Sequence, residues 1–216
     1  MSPGEGRNVN IAWSASDFPL SDAEYLAAMR TVVCPIVRNF NPGVILISAG
    51  FDATQGHPPT IGGYNVSPAC FASMTSSMLQ FAEGKTVLAL EGGYVGPAVA
   101  ESVLECLKVL LAESCSKVST AELERTPLKQ AVLDIEKTIA HLVSLAISHT
   151  WHFTSHLSIS SYQSAGSLLA CSERDQSLRE LLPPPVPRHS SSRHHRNKKF
   201  ASLVALAYLV IIPLWS

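Results

Sequence analysis

The sequence predicts an α/β fold in which a parallel sheet is flanked by helices, and two observations predict it. First, Val44 to Ile47 and Thr86 to Leu90 are apolar runs of strand length that stop at small residues. Continuous apolar runs of this kind suit strands covered on both faces, as in a parallel sheet. Second, a stretch with apolar residues at helical spacing follows each strand-like run, so the order is strand, helix, strand, helix, strand, helix. That alternation produces parallel strands joined by right-handed crossovers.

Taken in order, Asn8 to Trp13 alternates polar and apolar residues with period two and reads as a short strand. Ser14 to Leu20, with Pro19, is loop. Ser21 caps a helix, because Glu24 stands three residues on and can return a hydrogen bond to the cap. Tyr25, Leu26, Met29, Val32, Val33, Ile36 and Val37 keep one apolar face, and Pro35 inside that pattern predicts a bend or an early end. Asn41-Pro42-Gly43 turns into the strand at Val44. Beyond it, Gly50, Gly56-His57-Pro58-Pro59 and Gly62-Gly63 are too many breakers for a regular element.

Ser67-Pro68 opens the next helix as N-cap and first-turn proline. Cys70, Phe71, Met74, Met78, Leu79 and Phe81 form its apolar side, and Gly84 ends it. The strand Thr86 to Leu90 leads through Glu91-Gly92-Gly93-Tyr94 into a helix from Pro97 to about Ala112. Val99, Val103, Leu104, Leu107, Leu110 and Leu111 fall on the inner side of that helix. Thr126-Pro127 caps a further helix whose narrow stripe, Leu128, Ala131, Val132, Ile135, Ile139 and Leu142, packs onto the domain surface.

From about Ser148 the periodicity fails: Ser158 to Ser172 is Ser-rich, Pro183 to Pro187 is a proline cluster, and Arg188 to Lys199 is a basic run, a composition that predicts disorder. Phe200 to Trp215 is apolar but shorter than the ~20 residues a bilayer span needs, and it contains Pro213. A translated non-domain sequence or an apolar end without function fits it better than a membrane anchor. The chain of 216 residues therefore divides into a domain with a sizeable core and a tail. A net charge of −1 asks for no direct nucleic-acid partner. The five cysteines form no CxxC pair, which reads as reduced, buried thiols in a cytosolic or nuclear protein. The N-terminus lacks the apolar core of a signal peptide, so no secretion is implied.

Two loops could do chemistry. Asp52 follows the first strand in a loop relaxed by Gly50 and Gly56, where a carboxylate suits a metal ligand or general base, or caps the loop's own amides. In Glu91-Gly92-Gly93-Tyr94 the glycines let a substrate approach the backbone, and the phenol could donate to an oxyanion; a turn with a half-buried Tyr fits as well. Ligands in open parallel sheets gather beyond the carboxyl ends of the strands, so the two loops are two walls of one crevice. His57 precedes a proline that fixes its backbone and has one acidic residue nearby, which favours a structural role. His149, His152 and His156 share a helical face but lack the Cys or carboxylate of a zinc set, and His194 and His195 belong to the basic run.

Ser48-Ala-Gly-Phe-Asp-Ala, Gly56-His-Pro, Ile61-Gly-Gly-Tyr-Asn and Leu90-Glu-Gly-Gly-Tyr, in that order and spacing, resemble the C-terminal half of the catalytic domain of zinc-dependent histone deacetylases. The helix beginning Ser21-Asp-Ala-Glu-Tyr-Leu narrows the resemblance to class IIa. It covers residues 4–112; Ile135-Glu-Lys-Thr-Ile-Ala is weakly similar to the helix after that domain.

The resemblance implies an arginase-like three-layer α/β fold, incomplete at its N-terminal side, and hydrolysis of N-ε-acetyl-lysine on histones or other proteins in transcriptional repression. It implies Zn2+ as cofactor, held in the family by two Asp and one His. Asp52 matches the last of these ligands, whereas the Asp-x-His motif that supplies the others, and the His pair that serves as base and acid, are absent. Ile61, Gly92 and Gly93 match positions along the acetyl-lysine channel and beside the metal. Tyr94 matches the tyrosine that polarises the substrate carbonyl in active deacetylases, where vertebrate class IIa members carry His. Thr60 stands where proline is expected, and Val95 where Asp is expected.

The expected organisation is a deacetylase half-domain at 1–115, a following helix at 116–148, a low-complexity tail at 149–199 and an apolar segment at 200–216. One carboxylate does not hold zinc, so the chain by itself is expected to be inactive; a module that binds a nuclear corepressor complex, or a partial gene product, is the alternative. Nucleus and cytoplasm are the expected locations. A sheet cut in half is also expected to leave an unpaired apolar edge on its central strand, an aggregation hazard.

Overall fold

The computed structural model describes residues 8–14, 18–61, 63–148 and 204–205. Its regular elements are α1 (Asp22–Ala28), α2 (Cys34–Phe40), β1 (Ile45–Ala49), α3 (Pro68–Leu79), β2 (Thr86–Leu90), α4 (Gly96–Leu110), α5 (Thr120–Glu124), α6 (Lys129–Ser148) and β3 (Val204–Ala205). The sheet order is β2-β1-β3. β1 pairs in parallel with β2 from Ile45 opposite Thr86 to Ala49 opposite Leu90. On its other side Leu46 and Ile47 pair in parallel with Val204 and Ala205. The central strand is thus flanked on both sides, and among the described residues the bare edge belongs to β2.

The N-terminal segment corrects one expectation. Residues 8–14 alternate as predicted, with Ile11 buried, Val9 and Trp13 half-buried and Asn8 and Asn10 exposed, yet they form no ladder and are not a strand. Side-chain packing and a link to α6 hold the segment instead: the Ser14 amide and hydroxyl donate to the two oxygens of Asp134 at 2.8 and 2.9 Å.

Between α1 and α2 lies a π-helical stretch, Met29–Val33, so one continuous helical rod runs from Asp22 to Phe40. The sequence predicted a bend or an early end at Pro35, and the π stretch lets the helix run on past it. Proline lacks an N–H and its ring collides with the carbonyl four residues back. The wider turn just before it, in which the Cys34 N–H reaches Met29 O, absorbs both defects. Asn41 then ends the rod in the left-handed region at φ 50°.

α3 is capped as predicted, the Ser67 hydroxyl accepting from the Cys70 N–H at 3.1 Å. It stops at Leu79, earlier than Gly84, because Phe81 is already extended and Ala82 and Glu83 take positive φ. α4 carries a second correction. Val99 and Val103 pack against the core, but Leu104, Leu107 and Leu111 are largely exposed, and the side chains that α4 buries are Ser102, Glu105 and Cys106.

One core cluster gathers Ile45, Ile47 and Ala49 of β1 with Tyr25, Leu26, Val32, Val37, Phe71 and Met78 of the helices. The opposite sheet face is open: Leu46 and its partner Val87 are 42% and 54% exposed, while Leu90, on the covered face opposite Ala49, is exposed at the end of its strand. The strand runs were predicted to be covered on both faces; here one face is covered and a third layer is absent among the described residues. Cys34, Cys70, Cys106 and Cys115 are free thiols. Burial pushes the thiols of Cys34 and Cys70 up, so neither is a ready thiolate. The residues around His149, His152, His156, His194 and His195 lie outside the described residues.

Candidate active site

β1 and β2 end side by side, and their pairing outlasts the strands. The Glu91 N–H donates to Ala49 O and the Phe51 N–H to Gly92 O, both at 2.9 Å. These two bonds fasten the loop that carries Asp52 to the loop that carries Gly92, Gly93 and Tyr94. Asp52 comes three residues after β1 ends and is half-buried.

Gly92 has no side chain for a reason visible in this geometry. A Cβ built there would overlap Oδ2 of Asp52 and come 3.3 Å from Oδ1. One at Gly50 would come within 3.2 Å of the same Oδ2. The carboxylate therefore lies in a cradle of two glycine backbones from neighbouring strand ends. On the side where a side chain would stand, Asp52 takes the space at Gly92. Gly93 is required differently, since its φ of +118° is rare for any L residue and a Cβ would meet Val99 Cγ2 at 2.6 Å.

Tyr94 follows at once and is 75% exposed, its phenol clear of the core and of the helix behind it. Ile61 closes a single 3₁₀ turn, Pro59–Ile61, in the loop after Asp52. His57 is buried in that loop. Its Nδ1 lies 3.0 Å from Thr54 O, and its Nε2 lies 3.0 and 3.2 Å from the backbone nitrogens of Tyr94 and Val95. Asp52, Gly92, Gly93 and Tyr94 thus meet at one end of the sheet, with His57 bracing the second loop from the first.

Whether these residues suit a metal follows from the donor set. Zinc takes four ligands, at least three from protein in catalytic sites. Among the described residues no group of three or more His, Cys, Asp or Glu converges on one point. Asp52 is a ligand type at the end of the sheet, but the described residues do not make a complete zinc site.

The sequence also concealed a polar cluster around α1. α1 is buried on every side, including Asp22 and Glu24. Glu24 accepts from Arg125 Nη1 and Nη2 at 2.9 and 2.6 Å, from the Ser21 N–H at 2.8 Å and from the Leu128 N–H at 2.8 Å. Burial raises its pKa, but the Arg125 guanidinium and the two amides outweigh it and hold the carboxyl below its usual range. Glu24 was legible only as half of a capping box. Its second partner lies 101 residues away, beyond any local pattern.

The histone deacetylase domain family matches residues 1–110. The chain belongs to the histone deacetylase family. Human histone deacetylase 9 is 42% identical over 137 residues, which cover 63% of this chain and 14% of that protein. Human histone deacetylase 7 is 44% identical over the same length and shares. Histone deacetylase 4 of Caenorhabditis elegans is 44% identical over 138 residues, 63% of this chain and 16% of that protein. These relatives agree with the class IIa resemblance of the Ser21 helix. Among solved structures, the histone deacetylase Clr3 superposes with TM-score 0.60 at 27% identity, covering 87% of this chain and 31% of that one. The HD domain of HDA15 gives TM-score 0.56 at 31% identity, covering 68% of this chain and 40% of that one. The deacetylase fold, arginase-like and in part, is therefore the fold of this chain, which spans well under half the length of each of these proteins.

Proposed function

We propose that this chain carries the C-terminal part of a zinc-dependent lysine deacetylase site, directed at N-ε-acetyl-lysine on histones or other proteins and acting in transcriptional repression. One observation carries the reading: the Asp52 carboxylate lies against Gly92, and Tyr94, two residues further on, extends its phenol into solvent at the same sheet end. Asp52 is assigned as one metal ligand, Tyr94 as the hydrogen-bond donor to the substrate carbonyl oxygen, and Ile61, Gly92 and Gly93 as channel positions. A donor aimed at developing oxyanion charge is worth ~10²–10³ in rate. Because vertebrate class IIa deacetylases resemble this chain but carry His at that place, Tyr94 supports real turnover by the protein to which these residues belong.

The test joins residues 1–112 to the upstream half of the deacetylase domain of human histone deacetylase 7. The chimera should turn over an acetyl-lysine peptide ~10²–10³ faster than its Tyr94→His variant. Equal rates would remove Tyr94 from the mechanism. The 216-residue chain alone should retain no stoichiometric zinc after dialysis and show no turnover.

A second reading rests on the incomplete donor set among the described residues. It makes the chain a module that binds a nuclear corepressor complex, in nucleus and cytoplasm. Capture of that complex by the inactive chain would favour it.

A further inference from the structure

We infer that His57 is a positioning residue that fixes the backbone of Tyr94 and Val95 through a single tautomer; its importance for turnover rests on the proposed role of Tyr94. Backbone N–H groups can only donate, so Nε2, facing the amides of both Tyr94 and Val95, accepts. The proton of the neutral ring then sits on Nδ1 and is donated to Thr54 O at 3.0 Å. Thr54 is itself held: its N–H donates to Phe51 O at 3.0 Å, and its hydroxyl pairs with that of Ser102 on α4 at 3.2 Å. The ring is thereby anchored in the first loop and receives the second across 37 residues of sequence.

Position explains why two amides need this acceptor. Val95 is the N-cap of α4, and no side chain caps that helix. In an ordinary capping box a Glu at the third helical position would accept from the N-cap N–H. Here the third helical residue is Ala98 and cannot do so, and His57 accepts from outside the helix. His57 is 7% exposed, so water does not readily replace it. Without the imidazole, two neighbouring amides lose their acceptor and the turn that aims Tyr94 loses its brace.

The test uses the full 216-residue chain labelled with 15N. Long-range proton–nitrogen correlation should find His57 Nδ1 protonated and Nε2 bare, with scalar coupling from Nε2 to the Tyr94 or Val95 amide nitrogen. In His57→Phe, which keeps the ring and lacks the acceptor, the Tyr94 and Val95 amides should exchange roughly tenfold faster or more, while the Ile45 amide, bonded to Lys85 O, keeps its rate. His57→Gln, whose side-chain oxygen reaches about as far as Nε2, should restore much of the protection. A proton on Nε2 in the unmodified chain, or unchanged Tyr94 and Val95 exchange in His57→Phe, overturns the assignment. If His57→Phe unfolds and Ile45 exchanges too, the tautomer and coupling in the unmodified chain decide alone. Failure of the Tyr94→His chimera comparison would remove the catalytic consequence and leave these amide measurements standing, so the two failures are distinguishable.

Discussion

At the scale of single residues, the site is organised by what is missing from side chains. Gly92 leaves room that a carboxylate fills, and Gly93 takes a backbone angle that other residues resist. Val95 is the converse case, a β-branched apolar residue at a helix N-cap where Asp is expected by family resemblance. With Gly96 and Pro97 following, the amide open to a capping side chain is that of Ala98, since proline has none. Val95→Asp should stabilise the fold by about 1 kcal/mol, from that bond and from a negative charge at the positive end of α4. Chemical denaturation checks it: the midpoint should rise with unchanged slope, and a lowered midpoint would mean that Val95 is held by packing that the cap cannot replace. That the loops of Asp52 and Tyr94 adjoin beyond the strand ends was legible, because strand ends and breakers are local signals. The brace on Tyr94 was not, because the same His57-Pro58 dipeptide is compatible with any partner, and only folding brings Nε2 to amides in the next strand's loop.

At the scale of elements, the decisive joint is between α1 and the α5–α6 region. Arg125 grips the buried Glu24 with both terminal nitrogens and also reaches Ser21 Oγ at 2.6 Å and Glu122 Oε1 through Nε at 3.1 Å. Glu24 is wholly buried while Arg125 is 30% exposed, so cutting the pair strands a carboxylate rather than a cation. Arg125→Ala should cost about 3 kcal/mol, the low end for a broken buried pair because the arginine is partly solvated. The loss should depend on pH. Glu24 and Glu122 are both held below the usual Glu range despite burial, chiefly by Arg125. A depressed carboxyl contributes stability above its unfolded pKa and loses it as pH falls through the folded one. The gap between the original chain and Arg125→Ala should therefore be full above about pH 5 and shrink toward pH 3. Asp22 acts with opposite sign, since burial raises its carboxyl in spite of two bonds from Ser67, and acid relieves that cost. Stability measured across pH for both proteins checks the prediction, and a gap that stays constant would show that Arg125 acts by packing alone. The helical rod itself was legible from its apolar spacing. The burial of its first segment, α1, on every side was not, because the Arg125 and Leu128 that meet Glu24 are distant in sequence.

At the scale of the whole molecule, coverage is uneven, and this is where the sequence was most ambiguous. A continuous apolar strand looks the same whether helices cover one of its faces or both. In this chain the helices cover the face of Ile45, Ile47 and Ala49 and leave Leu46 and Val87 on the other face in solvent, while Leu104 and Leu107 of α4 turn outward. Among the described residues β2 is also paired on one side only, with β1. An exposed edge strand with apolar side chains offers unpaired backbone groups and a driving force for association at once. The 216-residue chain expressed alone should therefore self-associate, its sedimentation coefficient rising with concentration and its thermal transition broad or irreversible. Val87 is 54% exposed and Leu107 46%, so replacing them with Lys should reduce association while burying no new charge. Association that persists unchanged in the double variant would place its cause outside these two faces, and a monodisperse monomer melting in one cooperative step would remove the expectation altogether.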